Sequence, residues 1–567
     1  MQPMQFYSKT SSRFLLLAWC LLTAPFAAAH VGSPGVVYQD QAGPYRVLVS
    51  INPPDVIPGT AQVSVFVEGG GITKVTARPI FYNSGDEGAP APDEMEPAPD
   101  APGRYEGMVW LMSNGSSSVQ VVVEGPAGRG EALVPVMAVA TAQREMPAQL
   151  GWILGGLAVF LFLLMVTILG ASVSDGTLKP GLPLTAAKKR KRLVTMSLSV
   201  VVLGFLLFVG RSWWNSWAED YRKYMYRPMQ ADVRVETVEG RQMLTLRVDT
   251  TGWEASRTRI SYLVPDHGKL MHLFLVREPG LDAFAHLHPN RLDSLTFRAT
   301  LPALPPGRYK VYGDVTHRSG YAETITGTTE IAAPVSIRQV STTPSGGDAE
   351  DTYVVTDPLD RAGFLPADTN AVLCGKPGIK ARLQDGSAII WEHQANTAFT
   401  TGRVYPLRFM VTAPNGKPGK LDPYLGMAGH AVVTKDDGSV FIHLHPVGTY
   451  SMAARQSLEK RVSETSQAVS YPDTRQFIDS VDQVVARLDS LSAAEREAEL
   501  MAGMGHTDAG KGTDATGTDA MLGMTGMDHG SEVSFPYTFP QPGNYRIWVQ
   551  VKREGRILTG AFDAVVK

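Results

Sequence analysis

The sequence predicts a mainly β fold class: three extracytoplasmic antiparallel β-sandwich units, a two-helix transmembrane hairpin, and an insertion that is helical and then disordered. Three observations predict it. Glycine and proline are abundant, 55 and 39 of 567 residues, and they punctuate Val- and Thr-rich runs, the pattern of short strands joined by turns. Two apolar stretches, Leu150 to Val173 and Leu193 to Val209, are long enough to cross a hydrocarbon core of ~30 Å. A length of 567 residues exceeds one ordinary domain and leaves room for about three or four.

Taken in order, residues 1–29 read as a secretory signal. Lys9 and Arg13 give a positive start, Phe14 to Leu22 is apolar, and Ala27-Ala28-Ala29 is an A-x-A cleavage site. Trp19 is too large for the small residue that a lipid-attachment site needs before Cys20. Cleavage after Ala29 would make His30 the amino terminus, offering copper an amine and an imidazole, but residues 30–145 hold no second histidine to complete such a site. The first β unit covers 30–145, with strand-like runs at Tyr45 to Ile51, Gln62 to Glu68 and Ser116 to Glu124 and a Pro- and acid-rich loop at Ala89 to Pro102. The spans follow at 150–173 and 193–212, separated by a loop, 174–192, ending in Lys188-Lys189-Arg190-Lys191-Arg192. Cations beside a span belong on the cytoplasmic side, and Trp213, Trp214 and Trp217 stand where an interfacial aromatic belt would lie. Neither span has an ionisable residue in its middle, so the hairpin reads as an anchor that could contact a membrane partner, not as a transport path.

The second and third units, 228–335 and 350–567, repeat one another and read as small sandwiches of Ig-like or cupredoxin-like type. His272 precedes Phe284-Ala285-His286-Leu287-His288-Pro289 as His430 precedes Phe441-Ile442-His443-Leu444-His445-Pro446. Each unit then closes on a Pro-Gly-x-Tyr strand, at Pro306 and at Pro542. Alternation puts His286 with His288, and His443 with His445, on one face. A hairpin turn centred on Asp437-Gly438 sets His430 across from His445, with His443 diagonal. One more loop residue in unit two sets His272 across from His288, with His286 diagonal. Opposed Cβ atoms lie ~5 Å apart, suited to imidazoles converging on one ion. Three imidazoles suit Zn(II) or Cu(II). His317, on a later strand, is a possible fourth ligand. A His-x-His strand is also compatible with a packed or surface pair.

Unit three carries an insertion, 447–534. Helical spacing at Phe477, Val481, Val484, Val485 and Leu488 gives way to a low-complexity stretch holding Met501, Met504, His506, Met521, Met524, Met527 and His529. Thioethers are soft ligands, so this stretch suits Cu(I), or else it is a linker. Cys20 lies in the leader and Cys374 stands alone, which leaves no disulfide in the mature chain; Cys374 reads as a buried small hydrophobe.

The Met271-His272 strand, the His-Leu-His-Pro strand and the Pro-Gly-x-Tyr strand resemble FixH/YtkA-like β-sandwich modules of secreted bacterial proteins tied to heavy-metal or copper handling. The resemblance implies a Gram-negative envelope, with the chain in the inner membrane and most of it in the periplasm, and a copper-linked role with zinc as the other candidate ion. A net charge of −3 with 19% charged residues gives no reason to expect nucleic acid. No Gly-x-Ser-x-Gly, His-Glu-x-x-His, phosphate-loop or Cys-x-x-Cys-His motif occurs, so no enzyme is expected. The expected function is copper binding, buffering or delivery, with a membrane or periplasmic metal-handling partner. The alternative is a non-enzymatic scaffold that holds a membrane partner.

Overall fold

The computed structural model of the chain describes residues 30–31, 35–179, 181–251, 260–332, 347–359, 371–373, 376–394, 397–464, 468–504 and 530–567. Expectations for the leader, Cys374, His506, Met521, Met524, Met527 and His529 lie outside the described residues.

The architecture is mainly β, with several antiparallel sheets and two long apolar helices. Unit one is a sandwich. Its five-stranded sheet runs, in spatial order, Val36–Ala42, Tyr45–Asn52, Gly59–Val67, Arg104–Leu111 and Glu96–Pro97. Alternate residues Tyr45, Val47, Val49 and Ile51 turn inward onto the core. The Pro- and acid-rich stretch expected as a loop carries two short strands, Asp93–Glu94 and Glu96–Pro97, each paired at a sheet edge.

Helices α1 (Ala148–Val173) and α2 (Ala186–Lys223) are both long and apolar enough to cross a membrane. Their large side chains, among them Trp152, Phe160, Val201 and Phe208, are exposed, and so extensive an apolar surface calls for lipid. The helices approach closely where Gly170 faces Met196; a Cβ there would lie 2.6 Å from Met196 Cγ. The basic run expected in the connecting loop lies inside α2, because Thr185 caps the helix by accepting from Lys188 N–H. At 38 residues α2 is ~57 Å long, well beyond the expected span 193–212.

Six strands position the histidines: β1 (His272–Arg277), β2 (Ala283–Leu287) and β3 (Gly307–His317) in unit two, and β4 (His430–Lys435), β5 (Val440–Leu444) and β6 (Gly543–Arg553) in unit three. In each unit the first lies between the other two, so the duplication read in the sequence is a duplication of topology. One boundary shifts: Thr352–Val355, assigned to unit three, pairs with β2 of unit two. The short strand His30–Val31 runs parallel to β5, with the His30 backbone beside Val440.

Each sheet covers its own core with one face; in unit two Leu273, Leu275, Ala285, Leu287 and Val311 point there. The opposite faces meet each other. Phe274, Val276, Phe284 and Tyr312 of unit two pack with Val432, Phe441 and Trp548 of unit three. The contacts are reciprocal: Tyr312 stacks on Phe441 at 4.0 Å and Phe284 on Trp548 at 4.8 Å. Lys310 donates to the Asp437 carbonyl, and Arg546 donates to the Leu281 carbonyl at 2.8 Å. Full burial of one such Phe side chain contributes ~1.5–3 kcal/mol, so this patch holds the two sheets face to face.

The insertion begins with three helices, α3 (Met452–Ser463), α4 (Thr474–Ser490) and α5 (Ala493–Met504). Helix α3 bridges units: Arg455 pairs with Asp40 of unit one at 2.5 Å, and Ala453 N–H donates to Asp266 of unit two at 3.0 Å. Phe477, Val481 and Val485 of α4 pack on the core of unit two, as the spacing predicts. Arg496 of α5 pairs with buried Glu350 at 2.7 Å.

Candidate metal centre

The strand register is the one that the turn chemistry predicts. Ala431 pairs with Leu444 and Leu273 with Leu287, which sets His430 across from His445 and His272 across from His288. Gly438, at φ 68°, supplies the left-handed residue of the Asp437-Gly438 turn. The structure differs from expectation in what covers these faces. The histidines lie not at exposed strand positions but buried, from 0% exposed at His286 and His430 to 8% at His443. The cause is the face-to-face packing, which brings the histidine sets of both units into one cluster.

A seventh histidine joins them. His267 sits in a tight turn closed by the Asp266–Lys269 bridge, at φ 51°, and is 6% exposed. The ligating nitrogens of His267, His430 and His445 all lie within 4.8 Å of one another, and so do those of His272, His286 and His288. The first group replaces the expected set of His430, His443 and His445. His267 takes the third place, and His443 stands between the groups. Sequence comparison of the two units misses His267 because the equivalent turn in unit three carries Leu425, at φ 52°.

Four rings are held by acceptors on their outer side. His288 Nδ1 faces Asp351 Oδ1 at 3.1 Å, His286 Nδ1 faces Gln550 Oε1 at 3.1 Å, His445 Nδ1 faces the Tyr450 carbonyl at 2.9 Å, and His272 Nε2 faces the Asp266 carbonyl at 3.2 Å. A neutral ring donates to each, which leaves the lone pair of its other nitrogen turned inward. Two such inward nitrogens, His272 Nδ1 and His286 Nε2, are 3.0 Å apart; His267 Nε2 and His445 Nε2 are 3.3 Å apart. A tetrahedral ion with ~2.0–2.1 Å bonds has N···N edges of ~3.3–3.4 Å, so the spacing fits ligation with small adjustments. Both ring nitrogens of His430, Nε2 of His443 and Nε2 of His288 are buried with no hydrogen-bond partner among the described residues. Buried polar atoms are normally paired, so four orphans in one cluster mark a place for a ligand.

Burial pushes the imidazoles toward the neutral form that binds metal. His272 and His445 are pushed down to about 3, by burial first and then by neighbouring histidines. Burial takes His288 down to about 4 and holds His286, His430 and His443 well below the usual value. Asp314, on β3 beside β1, has its oxygen 3.8 Å from His443 Nδ1 and is pushed up to about 7 by burial. A cavity of about 250 Å³ reaches His272, His443 and His445 past Asp266, Asp314 and Glu323, and its wall includes Tyr226 and Pro228, just beyond α2.

His317 does not join the cluster; its Nε2 faces Glu323 at 3.2 Å and its ring meets Tyr321. Met501 and Met504 occupy the last turn of α5. Asp351 and Asp348, which form a further group with His288, carried no motif in the sequence.

No curated protein matches the chain. Solved structures with some similarity include a tetra-tandem repeat from the extending region of a large adhesion protein, 9% identical, covering 94% of this chain and 99% of that one at a TM-score of 0.14. Another is dimeric latent PorU from Porphyromonas gingivalis, 9% identical, covering 90% of this chain and 32% of that one at a TM-score of 0.12. A domain of unknown function, DUF8832, matches residues 229–333, 383–473 and 515–567, and so takes in both histidine-bearing sandwiches and leaves out unit one and the two apolar helices.

Proposed function

We propose that this is a membrane-anchored metal-binding protein of the bacterial envelope, holding copper for buffering or delivery, with zinc as the competing ion. In this reading α1 and α2 anchor the chain in the inner membrane and the β units lie in the periplasm. The observation that carries the proposal is the pair of three-histidine groups, each with ligating nitrogens within 4.8 Å of one another, together with orphaned ring nitrogens on His288, His430 and His443. Imidazole ligands without thiolate suit Cu(II) or Zn(II). The Asp351–His288 contact supplies the outer carboxylate that orients a ligating ring. The resemblance to FixH/YtkA-like modules favours copper, and the soft donors Met501, Met504, Met521, Met524 and Met527, with His506 and His529, extend the same reading to Cu(I).

The test is elemental analysis of the full chain purified in detergent, then stripped and reloaded with copper(II) or zinc(II). Wild-type protein retains metal through gel filtration, and His288→Ala and His445→Ala each retain less. A stripped wild-type chain that takes up neither ion would rule the reading out and leave an interaction scaffold built on the same interface.

A further inference from the structure

We infer that the two histidine groups form a single dinuclear centre, with His443, deprotonated to the imidazolate, as the ligand shared between its two ions, Nδ1 to one and Nε2 to the other. This rests on the metal-binding reading and goes a step beyond it, since two three-histidine sites could equally be independent.

The position of His443 carries the inference. It belongs to neither three-histidine group, yet its ring centroid lies 5.3 and 5.6 Å from those of His272 and His286, and 5.2 and 4.6 Å from those of His430 and His445. It therefore touches two members of each group. Its Nε2 is buried without a partner, while its Nδ1 side is turned toward Asp314. The groups also adjoin directly: the rings of His267 and His272, one from each, are 6.2 Å apart. Ions bound ~2.0–2.1 Å from their own imidazoles would lie on either side of the His443 ring. A neutral ring has one lone pair, so sharing takes both nitrogens of the imidazolate, whose proton leaves to solvent through the cavity, and holds the ions ~6 Å apart.

The cavity adds an independent observation. It reaches His272 from one group, His445 from the other, and His443 between them. Both ions would face the same space, so the exogenous ligand that fits is a small linear anion spanning the pair end to end, of the length of azide.

The experiment loads the stripped full chain in detergent with copper(II) alone, measures total copper by elemental analysis and integrates the electron paramagnetic resonance signal. A coupled pair gives two copper ions per chain, with visible spin well below total copper or with a half-field transition. In His443→Ala the coupling disappears and the remaining copper becomes fully visible. His443→Phe keeps an aromatic ring beside Phe274 and gives the same result if the alanine variant misfolds. Wild-type spin equal to total copper with no half-field signal overturns the inference, as does uptake of a single ion or coupling that survives both substitutions; each leaves the metal-binding reading standing. No uptake of copper or, in a parallel loading, of zinc removes both.

Discussion

His430 is fully buried, and neither of its ring nitrogens has a hydrogen-bond partner among the described residues. A neutral imidazole carries one N–H and one lone pair, so the metal-free ring leaves both unsatisfied. A buried polar group without a partner costs about 1–3 kcal/mol, whereas an apolar side chain of similar size has no such penalty. His430→Leu should therefore raise the unfolding free energy of the metal-free protein by about 1–3 kcal/mol, while lowering metal retention. Chemical denaturation of both stripped proteins checks the first half; a destabilised leucine variant would mean that the ring serves packing. At this scale the sequence made six members of the cluster legible, because a His-x-His strand and an Asp-Gly turn set which side chains share a face. It could not show His267. That residue enters through a turn whose counterpart holds Leu425, and its partners His430 and His445 come from the other unit.

β1 and β4 sit in the middle of their sheets with both faces covered, and this explains the element-scale departure from expectation. Alternation correctly placed the histidines together, but it says nothing about whether the histidine face meets water or another sheet. The continuous apolar runs Leu273–Val276 and Ala431–Val433 were the available sign, since a strand with one wet face alternates and one buried on both faces does not. Burial of both faces also fixes the pH behaviour of the metal-free protein. Six histidines, at 272, 286, 288, 430, 443 and 445, are pushed below 6.5, three of them to about 3 or about 4. Between these values and ~6.5 the unfolded chain binds protons that the folded chain refuses, so stability is present above ~6.5 and declines as pH falls. Each histidine contributes a slope of up to ~1.4 kcal/mol per pH unit. Asp314, Asp351 and Glu497 act oppositely, because burial raises them and the folded form holds their protons, but they are three against six. Denaturation midpoints of the stripped protein should fall between about pH 7 and about pH 5. A flat or rising midpoint would show that the rings stay hydrated.

For the whole molecule, the contacts between units require all of them to lie on one side of any membrane that the helices cross. Tyr226, just past α2, donates its N–H to the Ala140 carbonyl at 2.8 Å, and Tyr221 of α2 donates to the Ala142 carbonyl at 3.2 Å. The chain thus leaves unit one, passes through α1 and α2, and returns to where it started. Tyr38 of unit one stacks on Tyr450 at 5.4 Å, and Arg455 reaches Asp40, so the insertion of unit three closes against unit one. None of these contacts can form if a bilayer separates the units. The hairpin was legible in the sequence from two apolar runs and the cations between them; the closure onto unit one was not, because it depends on single side chains such as Tyr38 and Arg455 without a motif. Lys188 to Arg192 lie in the first turns of α2, at the end away from the β units. A lysine or arginine at a helix centre costs ~2.5–3.5 kcal/mol to insert, which keeps this end from being drawn across. Cysteines placed singly at 100, 185 and 300 in a background without Cys20 and Cys374 test the arrangement. An impermeant maleimide added to intact spheroplasts should label positions 100 and 300, and label 185 only after the membrane is opened. Labelling of 100 and 300 from opposite sides would break the hairpin, and with it every contact between unit one and the rest of the chain.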